Sequence, residues 1–299
     1  MTDLLAALLL GIIEGITEFL PISSTGHLLI AERWLGHRSD LFNIAIQAGA
    51  ILAVVVIYRR RLWQLAMGFL QPGGREPLLS PQGHGLVGER VAPSSQDTQV
   101  YGQPPRDYAY KLAAAFGVTA IGGLLMKAFG WELSAEIAPI AWALVLGGVW
   151  MLAAEYFAAS RARTLGERSA ITWTAALLVG IAQVVAGVFP GTSRSAATIF
   201  VALLAGTTNR AAATEFAFLV GIPTMFAATG YELVSVMRNG EAMHEDWHAL
   251  AIAFAASAIT AFIAVKWLLR YIQTHRFTAF AVYRLAVGAA LLLMVPNLR

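Results

Sequence analysis

Apolar residues run along this chain in long blocks, and the polar positions fall between the blocks. A membrane-crossing helix needs about 20 mostly apolar residues. Six blocks meet that need: 41–58, 110–130, 137–157, 214–236, 249–271 and 279–297. Two further apolar stretches, 4–19 and 172–189, each run into a short polar loop, PISSTGH (21–27) and PGTSRSAAT (190–198). An apolar piece too short to span follows each loop, at 28–35 and 199–206. Helix, polar turn and short helix together predict a re-entrant hairpin, because irregular backbone at membrane depth is tolerated only where protein or a wet cavity surrounds it. The pattern therefore predicts an all-α polytopic membrane protein with six transmembrane helices and two re-entrant helical hairpins.

The two hairpin stretches resemble each other. With Gly11 set on Gly180, Ile12/Ile181, Pro21/Pro190 and Ser24/Ser193 are also identical, and Glu14 meets Gln183. Each hairpin is followed by three spans, which predicts one membrane domain built from two repeats, about 1–157 and about 172–297. Basic residues orient the spans. With Arg59, Arg60 and Arg61 placed in the cytoplasm, fifteen of the 21 Lys and Arg fall on that side, Arg284 among them. Both chain ends then lie outside, and the hairpins enter from opposite faces. The halves are thus an inverted-topology repeat whose polar tips can meet within the membrane. The stretch 71–107, rich in Pro, Gly, Ser and Gln, reads as a flexible cytoplasmic insertion.

Composition agrees and narrows the choices. The 299 residues are 58% hydrophobic and 13% charged, with a mean hydropathy of +0.63, whereas soluble domains carry about a quarter charged residues. No basic run has aromatic interleaving, so nucleic acid is excluded as a partner. The chain has no cysteine, which rules out disulfides, thiolate metal sites and a cysteine nucleophile. The apolar N-terminus lacks a basic leader and a cleavage site and reads as part of the mature protein.

The candidate chemistry gathers at the two loops. Glu14 and Glu18 are four apart and project from one helix face. A carboxylate inside the membrane costs several kcal/mol and usually marks a site. In PISSTGH, Pro21 ends a helix, Ser23 and Ser24 can cap the next, Thr25 and Gly26 line its start, and His27 sits in its first turn. In PGTSRSAAT, Gly191, Thr192, Ser193, Ser195 and Thr198 surround Arg194, and hydroxyls and free amides at a helix N-terminus make an anion cradle. Arg194 adds a bidentate phosphate ligand. Two carboxylates beside a pyrophosphate would repel it without a divalent cation between them, which predicts Mg²⁺ or Ca²⁺ held by Glu14 and Glu18. Ser24, His27 and a cation-bound water are all candidate nucleophiles, with Ser24 favoured because Ser193 repeats it. Gln47 and Glu215, opening the spans after each hairpin, are candidates to support the site. Glu155 reads as an interfacial anchor near Arg161 and Arg163, and Lys266 and Arg270 as snorkelling residues.

At these residues the sequence resembles the bacterial undecaprenyl-pyrophosphate phosphatases of the bacitracin-resistance type. Glu14-x-x-x-Glu18 running into PISSTGH, then PGTSRSAAT and TEFAFLVGIP (214–223), carry the resemblance, which covers nearly the whole chain except 71–107. It implies a divalent-cation-dependent membrane hydrolase that releases phosphate from undecaprenyl pyrophosphate and recycles the carrier lipid for peptidoglycan synthesis. It also implies functional roles for Glu14, Glu18, Ser23, Ser24, His27, Arg194 and the 190–198 loop, and a site open to the periplasm. The other large class of membrane lipid phosphatases places a histidine after five intervening residues beyond the Ser-Arg pair; here that position holds Phe200, which excludes it. The competing function is a polyprenyl-phosphate transporter or flippase, since inverted repeats are common among transporters. Implied partners are the pyrophosphate lipid and the surrounding membrane lipids, with a homodimer as the candidate assembly.

Overall fold

Every apolar block becomes a helix. The computed structural model describes residues 3–70, 103–130, 136–239 and 246–294. They form ten α-helices: α1 (Asp3–Thr17), α2 (Ser24–Leu35), α3 (Asp40–Leu70), α4 (Pro105–Ala128), α5 (Ile137–Leu165), α6 (Trp173–Val188), α7 (Arg194–Ala205), α8 (Arg210–Asn239), α9 (Trp247–Thr274) and α10 (Thr278–Met294). Five of them, α3, α4, α5, α8 and α9, are long and apolar enough to cross a membrane. The sixth predicted span, 279–297, is the 17-residue α10, and 295–297 lie outside the described residues. Of the predicted insertion, 71–102 also lie outside them. Residues 103–107 are built in: the Gln103 side chain bonds both the N–H (3.0 Å) and the carbonyl (2.8 Å) of Ile171, and Pro105 begins α4.

Helices α1–α4 and α6–α9 run in a similar order of lengths, and one helix contact recurs between them. The first helix of each half lies on the fourth helix of the other, α1 on α9 and α6 on α4. Glycine sets both approaches. A Cβ on Gly11 would strike the Ala253 carbonyl, and one on Gly180 the Ala115 carbonyl. Small residues are the usual means of bringing membrane helices this close. Replacing Gly180 by leucine is expected to destabilise the protein by about 1–3 kcal/mol or more, since a filled interface cannot take the added carbons. Thermal unfolding in detergent checks this, with the same change at Gly187, which has open space around it, as the neutral control.

The match is gapless through α1 and α6 but slips by one residue at the tips. Ser23 precedes α2 and Ser193 precedes α7, and these two are the only non-glycine residues with positive φ among those described (77° and 66°). The structural partner of Ser193 is therefore Ser23, and Arg194 stands where α2 has Ser24. The cause is one extra residue after Pro190, next to Gly191 with φ 92°.

The end where basic residues collect is tied together by charge. Arg61 of α3 bonds Glu215 of α8 at 2.8 Å, Arg210 of α8 bonds Glu155 of α5 at 2.9 Å through Nε, and Arg161 donates to the Leu204 carbonyl at the end of α7. Glu155 is thus a buried ion-pair partner and not an interfacial anchor, and Glu215 is committed to Arg61. Lipid-facing side chains such as Ile121, Leu124, Leu146, Ile263 and Leu293 stay exposed, as an apolar solvent allows.

Candidate functional site

The two hairpin tips meet. Glu18 lies just past the end of α1, yet its N–H still bonds the Glu14 carbonyl at 2.9 Å, so the helical stacking of the two carboxylates survives. The Glu18 carboxylate is almost wholly buried (side chain 7% exposed) and has two partners. Arg194 Nη2 donates to its Oε1 from the second hairpin, and Ser24 Oγ donates to its Oε2 from the first. A second bond joins the tips: Ser195 Oγ donates to the Leu20 carbonyl at 3.0 Å and lies 3.1 Å from Ser193 Oγ.

Glu14 is fully buried, and neither of its oxygens has a hydrogen-bond donor. Its carboxyl lies within electrostatic reach of the Glu18 carboxylate and of Arg194. Two buried carboxyls side by side require a proton or a cation between them, and an orphaned pair of oxygens facing a second carboxylate suits a hard divalent cation.

The helix starts at the two tips differ. Ser193 caps α7 by accepting from the Ala196 N–H at 3.3 Å, whereas Ser23 makes no side-chain cap on α2. Helix α2 therefore presents an N-terminus open to an anion beside Ser24 and the exposed Thr25. Gly26 is buried against Ile140. Thr198 does not face this space: its hydroxyl is spent on the Arg194 and Ser195 carbonyls at 2.8 and 3.2 Å. Thr192 contributes backbone, its N–H bonding the Phe189 carbonyl at 3.1 Å.

His27 bonds partners other than Ser24. Its Nδ1 donates to the Ser23 carbonyl at 2.7 Å, and its Nε2 meets Tyr283 Oη of α10 at 2.7 Å. Arg284, next in sequence, is completely buried and held by carbonyls alone: Thr192, Gly191 and Ala143 at 3.0 Å and Leu144 at 3.4 Å. Assigning Arg284 to the cytoplasmic flank is thus incorrect. The signal was present, since an arginine in the apolar run AVYRLAVGAALLL meets the same criterion that singled out Arg194. Nothing in the sequence pointed to Tyr283.

Beside the second tip, an apolar cavity of about 730 Å³ opens between α5, α6 and α7. It runs from Pro139, Phe189 and Thr192 to Leu204 and Ala205.

Fold and site define a multi-pass helical membrane protein in which a carboxylate–serine hairpin faces an arginine hairpin. Residues 7–290 match the family described as bacitracin resistance protein BacA, and the chain belongs to that family. It is 59% identical over 295 residues to an undecaprenyl-diphosphatase of Rhizobium etli, covering 99% of this chain and 98% of the relative. It is 55% identical over 296 residues to an undecaprenyl-diphosphatase of Xanthomonas euvesicatoria pv. vesicatoria, with the same coverage.

Proposed function

We propose that this protein hydrolyses undecaprenyl pyrophosphate to undecaprenyl phosphate and inorganic phosphate, and so recycles the carrier lipid for peptidoglycan synthesis. The observation that carries this reading is the Glu18 carboxylate set between the Ser24 hydroxyl and the Arg194 guanidinium. Phosphoryl transfer asks mainly for positioning and charge stabilisation. The terminal phosphate would lie at the open N-terminus of α2 and take Arg194 as its counter-charge. Ser24, already donating to Glu18, attacks phosphorus while Glu18 receives its proton, and undecaprenyl phosphate leaves. Glu18 passes that proton to the departing lipid phosphate, then takes one from the attacking water and returns it to the Ser24 oxygen as the serine–phosphorus bond breaks and inorganic phosphate leaves. The apolar cavity beside Thr192 would take the first part of the prenyl tail.

Glu14 and Glu18 would hold Mg²⁺ or Ca²⁺, whose charge offsets that of the pyrophosphate. The hairpins are read as re-entrant and the halves as inverted about the membrane plane, with six spans counting α10 and the site opening to the periplasm of a bacterial plasma membrane. The pairing of tips with unlike chemistry supports hydrolysis over transport. An acid and a hydroxyl stand on one tip and a cation on the other, whereas carrying a phosphate needs no hydroxyl beside a base.

Phosphate release from a polyprenyl pyrophosphate by the detergent-purified protein tests the reading. Release is expected with Mg²⁺ or Ca²⁺, to be lost with a chelator and restored on adding the cation back. No release from folded protein with either cation would overturn the hydrolase and favour the transporter.

A further inference from the structure

Two consecutive residues of α10 each hold one hairpin tip. Tyr283 reaches the first through His27. The carbonyl of Ser23 can only accept, so His27 Nδ1 carries the proton, and in the neutral ring Nε2 accepts from the Tyr283 hydroxyl. The chain Tyr283–His27–Ser23 thus ends on the backbone of a residue held at φ 77°, immediately before Ser24. A serine in that region is strained and persists only where its surroundings fix it. The two rings are nearly parallel, 8° apart, and stack with centroids 5.6 Å apart.

Arg284 holds the second tip by the carbonyls of Gly191 and Thr192, immediately before the strained Ser193 and then Arg194. Its remaining bonds go to Ala143 and Leu144 of α5, so tip and α5 are fastened through one guanidinium. Helix α10 is itself locked on α5. Added Cβ atoms at Gly148 and Gly288 would strike Leu285 and Val145, and one at Gly147 would strike Arg284. A buried arginine without a carboxylate is costly unless its donors are bonded, and here four of the five N–H donors are bonded, two of them to the loop that carries Arg194.

We propose that α10 is a brace setting the position of both tips, with Tyr283 and Arg284 as positioning residues that act through His27 and through the Gly191–Thr192 backbone. His27, with both ring nitrogens committed, belongs to this brace and not to the proton path of Ser24. The proposal rests on the hydrolase reading for its kinetic part only.

Tyr283→Phe, which keeps the ring, and Arg284→Lys, which keeps the charge, test it in the full-length protein. Tyr283→Phe is expected to lower kcat by about 10- to 100-fold with KM little changed, because it misplaces Ser24. Arg284→Lys is expected to raise KM about tenfold or more, because it misplaces Arg194. Amide hydrogen exchange without substrate gives a second readout. Tyr283→Phe should speed exchange around the His27 N–H, which bonds Ser23, and leave 190–197 unchanged; Arg284→Lys should do the reverse. Wild-type kinetics in either variant, or exchange raised throughout the helices in both, would overturn the brace. If the wild type releases no phosphate, the hydrolase reading fails, and the local exchange pattern alone decides the brace.

Discussion

Arg194→Ala is expected to lower kcat/KM for phosphate release by about 10³-fold or more, the scale seen when an arginine serving a transferring phosphoryl group is removed. Arg194 is the cation that reaches the carboxylate–serine pair; Arg284, the fully buried arginine at the tips, bonds only backbone carbonyls. Removing Arg194 also leaves Glu18 without its counter-charge in a buried setting, so a folding defect must be separated from a chemical one. Arg194→Lys does this. It keeps a positive charge near Glu18 but lacks the planar fork that binds a phosphate through two parallel bonds. It should fold like the wild type and recover only part of the lost rate. Full activity in either variant would mean that the phosphate is bound elsewhere.

Ser24→Ala and Glu18→Gln are each expected to cost about 10³- to 10⁴-fold in kcat, as for a nucleophile and its base. Their combination should be hardly worse than either alone, because residues that act as one unit lose their effect together. The glutamine keeps the size of Glu18 and can still accept from Arg194, so the fold should tolerate it. A multiplicative double variant would separate the two residues into independent roles. Near-normal release by Ser24→Ala would assign the attack to water, leaving Glu18 as its base.

Most of the fold was legible because lipid enforces a simple rule: apolar blocks of sufficient length become helices. The block boundaries 137, 249 and 279 lie within two residues of the starts of α5, α9 and α10. The helices overrun the blocks where polar first turns remain helical, as at Ser24 and Arg194, since serine and glycine there start helices as readily as they end them. At the site, Glu14, Glu18, Ser24 and Arg194 were legible because each is a polar group in apolar surroundings. His27 was read as a nucleophile or acid–base group, and sequence could not show that both its nitrogens are engaged by Ser23 and Tyr283. Thr198 looked like an anion ligand because a hydroxyl near a helix start usually is one, but an i−4 carbonyl claimed it. Tyr283 and the partners of Arg284 were hidden for a different reason. Tyr283 meets the His27 side chain, 256 residues away, and Arg284 is held by backbone carbonyls more than ninety residues away, which leave no trace in sequence.

The one-residue slip between the two tips has a consequence for how the reaction centre is assembled. Had the loops been of equal length, Ser193 would open α7 as Ser24 opens α2, and two hydroxyls would face each other with no cation between them. The additional residue turns the start of α7 by about 100° and hands that place to Arg194. Two hairpins of similar build thereby acquire unlike poles through a change of register, one insertion doing what a swap of residue types would otherwise have to do. Deleting a residue from 191–192 should thus yield a better-matched pair of halves and a worse catalyst.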